Sequence, residues 1–390
     1  MSYYILPKNI NKIELSPKDD VNECKLYISH SLFNYYNKIM NEINNSINNS
    51  LNKYKDILTI VNPYEFIYSK VPGSQYSVSK LKEKTCLFYD LLEIIVNLDI
   101  FENFNNEPIN CLDITEYHSD LTDCFQMLRE DSNDNIINFN QINDSNIKLI
   151  ENIKFNFLFF ETKNNTLNEY IISLMEILMV ILKNQLINGN CIIKINTIFY
   201  KPIVDILYFL SSLFEKVYIF KPNTSNVTTF EKYIICKSFK SNENKLKSYK
   251  INYYRLLVFL KKMENKNIVS ILNSDIPYFF YTKVNDINNI ISQQQFEHLD
   301  LIINIFKNKN KDGKIEIIQK SNIQKSVLWC EKYKIPCNKF FEKTNIFLPI
   351  IKKNINELLA NEGVEGSEGV GEVEEILEEI LEEIIKKQMD

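Results

Sequence analysis

Glycine is scarce in this chain. Of its 390 residues only 7 are glycine, and Gly363, Gly366, Gly369 and Gly371 sit together in an acidic stretch near the C-terminus. Gly73, Gly189 and Gly313 are all that remain before it, so the body of the chain has no Gly-x-Gly turn. Such turns let backbone amides touch a phosphate or a cofactor, and without them the glycine-rich phosphate loops and dinucleotide fingerprints are excluded. Histidine is nearly as rare, with His30, His118 and His298 far apart. The cysteines (Cys24, Cys86, Cys111, Cys124, Cys191, Cys236, Cys330 and Cys337) form no Cys-x-x-Cys pair, which argues against zinc or another metal centre. Several lie in apolar runs and read as buried free thiols of a reducing compartment. No long hydrophobic run is present either: the longest, Tyr170 to Leu182, is interrupted by Ser173 and Glu176 and is too short to span a bilayer. The N-terminal MSYYILPKNI lacks a signal core, so a cytoplasmic protein without a membrane contact is expected. The net charge of −5, from 45 basic and 50 acidic residues, excludes a global basic field for nucleic acid. Much of the acid is confined to the C-terminal stretch, which leaves room for a local basic groove in the body.

What is present is alternation. Residues 1–60 are polar and Asn-rich, and 1–75 read as a helical N-terminal extension, with apolar residues at helical spacing between Leu26 and Tyr54 (Ile28, Leu32, Tyr35, Tyr36, Ile39, Ile43). Thr85 to Leu98 reads as a helix. Ile109–Ile114 reads as a strand and Leu121–Leu128 as a helix. Phe155–Phe160 is a continuous apolar run, the signature of a buried parallel strand, and Leu167–Leu186 is an apolar helix. A turn at Gly189-Asn190 precedes a strand at Cys191–Ile195; a Pro-opened helix follows at Pro202–Phe214, then strands at Val217–Phe220 and Tyr233–Lys237. Strands alternating with helices specify an α/β sheet. The last two strands have no room for a crossover helix between them and are expected as an antiparallel edge hairpin. Residues 241–355 read as mostly helical, with Trp329 on a helix. Residues 356–371 read as a Gly/Glu linker and 372–390 as an acidic amphipathic tail helix, able to dock on a protein partner or on the body, or simply solvated.

One stretch is more specific. Gly189–Lys240 carries, in order, Gly189, Lys194, Lys221-Pro222, Thr224-Ser225 and Glu231-Lys232-Tyr233. It resembles the C-terminal half of FtsJ-type 2′-O-methyltransferases, and most of all their cap-specific mRNA branch in eukaryotes and large DNA viruses. Similarity extends backward through Lys84–Ile95, Asn110–Phe125 and Phe155–Asn165. The resemblance implies a Rossmann-like methyltransferase sheet over 76–240, mostly parallel with an antiparallel edge hairpin, plus helical N- and C-terminal extensions. It implies S-adenosylmethionine as cofactor and capped mRNA as partner. With the Asn/Ile-rich composition, it points to the factory or virion of a large cytoplasmic DNA virus.

The family's chemistry asks for a Lys-Asp-Lys-Glu tetrad around a ribose 2′-hydroxyl, because that hydroxyl must be oriented and deprotonated. Carried over, Lys194 takes the place of the central Lys and Glu231 that of the final Glu. Glu161 stands for the Asp, and Asp90 for the first Lys, with its sign reversed. The family's Pro-Gly-Gly cofactor loop falls on His118-Ser119-Asp120. Asp113 ends the cofactor strand, and Glu116 lies in the loop after it. Lys221, Asn223 and Ser225 are the implied RNA contacts. Each has a plain structural alternative: a Lys can snorkel at a strand end, and Ser/Thr/Asn turns are common without a ligand. Glu161 and Asp90 beside Lys194 are expected to raise its pKa and weaken it as a base. Two functions compete, an RNA 2′-O-methyltransferase and a silent relative kept as an RNA-binding or scaffold subunit; an accidental match on a helix-rich structural protein is a third.

Overall fold

A computed structural model describes residues 3–9, 13–47, 51–81, 84–104, 107–116, 118–130, 132–162, 165–240, 243–263, 266–307 and 312–338. The linker and tail helix expected at 356–390 lie outside these residues. In chain order the elements are β1 (Tyr3–Ile5), β2 (Leu15–Asp20), α1 (His30–Ile47), α2 (Leu51–Val61), α3 (Cys86–Asn97), β3 (Asn110–Ile114), α4 (His118–Leu128), β4 (Asn135–Phe139) and α5 (Asp144–Leu149). They continue with β5 (Phe155–Glu161), α6 (Leu167–Asn184), β6 (Gln185–Ile195), α7 (Lys201–Leu213), β7 (Phe214–Phe220), β8 (Lys232–Phe239), α8 (Glu243–Lys262), β9 (Asn267–Leu272), α9 (Tyr278–Lys307) and α10 (Asp312–Lys332).

Helix starts follow side-chain chemistry. Thr85 caps α3 by accepting from the Leu87 amide, and Thr166 caps α6 by accepting from the Glu169 amide. Pro202 opens α7, where its missing N–H costs nothing. The main sheet has the order β1-β7-β8-β6-β5-β3-β4. Strands β4, β3, β5 and β6 are parallel neighbours, while β8 lies antiparallel between β6 and β7. The expected hairpin is therefore present, with β8 paired inward on β6. The N-terminal β1 adds antiparallel to the outside of β7, so the extension contributes a strand as well as helices.

Alternation along the strands feeds two cores. Ile193, Ile234 and Cys236 pack on the face covered by α6 and α7, while Ile192, Tyr233 and Ile235 pack on the face covered by α3, α4 and α10. Of residues 241–355, expected as mostly helical, the described ones carry α8, α9 and α10, and 339–355 lie outside them. The segment NIVSIL instead forms β9, which pairs antiparallel with β2 in a separate two-stranded sheet. A run this short reads equally well as helix or strand, and a partner from the far end of the chain decides it.

Gly189 and Asn190 were expected as a turn and lie inside β6, after Asn188 at φ 60° and beside a register irregularity against β5. Glycine is required there by close approach. A Cβ would stand 2.3 Å from Gln185 Nε2 and 2.6 Å from the Asn156 carbonyl. Gly189→Ala is expected to destabilise the protein by about 1–3 kcal/mol through overpacking against backbone; a urea unfolding midpoint equal to the parent's would refute this.

Candidate active site

Parallel strands deliver side chains to their C-terminal ends, and three neighbours do so here: Asp113 on β3, Glu161 on β5 and Lys194 on β6. Glu161 and Lys194 are register partners across the β5–β6 ladder. The Thr162 amide and hydroxyl both donate to the Lys194 carbonyl, at 3.2 and 3.1 Å, and fix the strand end. The Lys194 ammonium donates to Glu161 Oε1 at 2.6 Å. Burial pulls the Lys194 pKa down, but the charges of Glu231, Glu161 and Asp90 outweigh it and hold the ammonium above its ordinary range. The four residues of the expected tetrad thus converge, and the effect on Lys194 has the expected sign.

Asp90 comes from α3 and is buried. The Thr224 hydroxyl donates to its Oδ1 and the Tyr233 hydroxyl to its Oδ2, the latter at 2.9 Å. Burial pushes its carboxyl up to about 7, against the pull of those two donors and of Lys194. Tyr233 had no expected role. It pairs directly with Lys194 across β6–β8 and so shares its face, a relation visible in sequence only once that register is known.

The implied RNA contacts are a correction. Lys221 is buried, and its ammonium donates to the carbonyls of Asn226 (2.7 Å), Thr229 (3.2 Å) and Glu231 (2.7 Å). Burial lowers it to about 8. It clamps the loop before β8 and offers no donor to a phosphate. Asn223 gives its amide and its side chain to Glu93, at 3.1 and 2.7 Å, beside the Trp329 indole at 3.0 Å. The Ser225 hydroxyl is buried on the Pro222 carbonyl. A loop's local sequence does not say which way its polar groups turn, and these three turn inward.

At the end of β3, Asp113 is fully buried, with Thr115 donating to its Oδ1 at 3.0 Å. Burial pushes its carboxyl up to about 6. His118 opens α4. Its Nε2 lies 2.6 Å from Asn140 Oδ1, just past β4, and its Nδ1 lies 3.5 Å from Asp113 Oδ2. The second contact is within ion-pair reach but lacks hydrogen-bond alignment, and neither atom has another partner. The imidazole therefore spans the ends of β3 and β4. Glu116 and Ser119 are exposed. Asp120, expected to face the cofactor, is a correction: it is buried and accepts from the Thr85 hydroxyl at 2.6 Å, which ties α4 to the start of α3.

Residues 120–239 match the family model described as FtsJ-like methyltransferase. Over these residues the chain is similar to FtsJ-like methyltransferases. Lys194, Glu161 and Glu231 fall inside the match; Asp90 and Asp113 fall before it. The chain is 41% identical over 54 residues to cap-specific mRNA (nucleoside-2′-O-)-methyltransferase 2 of Drosophila melanogaster, which is 14% of this chain and 8% of that protein. It is also similar to an uncharacterized protein of Acanthamoeba polyphaga mimivirus, 22% identical over 325 residues, which cover 80% of this chain and 83% of that one. Among the described residues, no helix is long and apolar enough to cross a membrane, and no group of His, Cys, Asp and Glu is placed to hold a metal ion.

Proposed function

We propose that this chain is a catalytically silent FtsJ-like subunit, retained as a scaffold or RNA-binding member of an mRNA-capping or transcription assembly of a large DNA virus. One observation carries the reading. The Lys194 ammonium is ion-paired to Glu161 at 2.6 Å, and the charges of Glu231 and Glu161 outweigh burial and raise its pKa. A lysine that assists deprotonation of a 2′-hydroxyl needs the opposite shift. The family's first Lys helps to tune and position the central one, and a buried carboxyl, Asp90, stands in its place.

The residues at the end of β3 do not fit S-adenosylmethionine. The turn has no glycine, the imidazole of His118 spans Asp113 and Asn140, and Asp120 turns inward, so side chains stand where a bare backbone would have to approach the cofactor. The competing reading is capped-mRNA 2′-O-methyl transfer. It is favoured by Lys194 and Glu231 holding the positions that match the family pattern.

A single titration separates the two. With S-adenosylmethionine or S-adenosylhomocysteine raised to millimolar, the melting temperature is expected to stay constant while a capped oligoribonucleotide or a capping partner is still retained. A ligand-graded rise in melting temperature, with methyl transfer to the capped oligonucleotide, would establish the enzyme and end the silent reading.

A further inference from the structure

Away from the FtsJ-like site, a groove of about 960 Å³ runs between β2 and α8. Its apolar lining includes Leu15, Pro17, Tyr254, Val258, Phe259 and Met263. The opposite side of α8 holds the helix down: Tyr249, Asn252 and Leu256 are buried, and Asn252 accepts from the Leu15 amide at 3.0 Å and donates to the Ile13 carbonyl at 3.2 Å. The outward face is consequently fixed, and it combines two properties that seldom coincide on solvated helices. Ile251, Tyr254 and Val258 form a stripe at helical spacing and are 49%, 61% and 48% exposed. Lys247, Lys250, Arg255, Lys261 and Lys262 are exposed along the same face, and no Asp or Glu occurs between Lys247 and Lys262.

The positive field is largely uncompensated. Arg255 pairs with Glu14 at 3.0 Å, but no described carboxylate pairs with Lys247, Lys250, Lys261 or Lys262. Their charge extends to α6 and its neighbourhood, where Lys183 and Lys250 help burial to lower the pKa of Lys154. Like charges along one helix face repel, and an apolar stripe in water gains by being covered.

We propose that this face of α8 is a docking surface for an acidic amphipathic helix of a partner protein, with aliphatic residues at i, i+4 and i+7 flanked by carboxylates. The stripe and groove take the aliphatic side, and the cations on both flanks take the carboxylates. RNA fits less well, because Ile251 and Val258 offer a phosphodiester nothing. An anionic membrane fits less well too, since lipid cannot fill a groove lined by Leu15, Pro17, Phe259 and Met263 as a helix's side chains can. The surface is independent of whether the FtsJ-like site turns over.

The test is fluorescence anisotropy of the full chain with a labelled synthetic peptide of that pattern. Binding is expected to weaken about tenfold or more in Lys250→Glu/Lys262→Glu and again on raising salt. It is expected to be lost in Ile251→Ser/Val258→Ser, each variant keeping the parent's circular dichroism. A scrambled peptide of equal charge is expected not to bind. Four results would each overturn the proposal: no binding by the parent chain, equal binding by the variants, equal binding of the scrambled peptide, or charge-dependent binding at α8 of single-stranded RNA or phosphatidylserine vesicles with none of the peptide.

Discussion

Replacing Asp205 with alanine is expected to cost about 3–5 kcal/mol of stability. Asp205 is fully buried on α7. Its Oδ2 accepts from the Ile271 amide at 2.8 Å and the Leu272 amide at 3.1 Å, and its Oδ1 accepts from Lys201 at 2.8 Å. One carboxylate therefore fastens the two-stranded β2–β9 sheet to a helix of the main sheet. Burial alone would raise its pKa, with Lys201 and the two amides opposing. Alanine removes all three acceptor contacts and leaves two buried N–H groups and a half-buried ammonium without partners. Asparagine keeps one acceptor and is expected to lose less. The check is urea unfolding followed by far-ultraviolet circular dichroism; a loss below about 1 kcal/mol for the alanine variant would mean that water already satisfies those amides.

The second large effect is a change in pH dependence. Asp90 is pushed up to about 7 from its ordinary 3.8, chiefly by burial. Between these values the folded chain holds a proton that the unfolded chain has released. The stabilising contribution of the neutral carboxyl is therefore complete below about 3.8 and is lost as pH rises through about 7. At about 1.4 kcal/mol per pKa unit, the loss across the window is on the order of 2–4 kcal/mol. Asp90→Asn cannot ionise, and its amide still accepts from Thr224 or Tyr233. The variant is expected to match the parent below about pH 3.8 and to exceed it increasingly as pH rises through about 7. Asp113, pushed up to about 6, titrates in both proteins and cancels in the comparison. Parallel stability–pH curves for the two proteins would show that Asp90 holds no proton in the folded state that the unfolded chain releases, and would overturn this prediction.

Both effects depend on contacts that span the chain, and this sets what was legible in advance. Strands β3, β5, β6, β7 and β8 and helices α3, α4, α6 and α7 were readable because each carries its own period: a continuous apolar run for a strand buried on both faces, a three-to-four spacing for a helix against a sheet. The short strands β1, β2, β4 and β9 were not. Tyr3–Ile5 is a strand only because Phe220 and its neighbours lie alongside, and Asn267–Leu272 only because Leu15–Asp20 does. The convergence of Lys194, Glu161, Glu231 and Asp90 followed from motif order once a parallel sheet was assumed. Tyr233 was missed because its place depends on the β6–β8 register. Lys221, Asn223, Ser225 and Asp120 were given the wrong surroundings because a polar residue in a loop looks the same whether it faces water or a buried partner.

The sequence by itself determined the α/β alternation, the position of the sheet within the chain and the family-like spacing from Gly189 to Tyr233, since each is a local or short-range property. It also determined that no glycine loop was available to a cofactor, because composition needs no coordinates. Only the tertiary structure decided which groups share one electrostatic environment. Whether Lys194 is a base or an ion-paired cation depends on carboxylates brought from α3, β5 and the start of β8, and Coulomb's law acts through distances that exist only after folding.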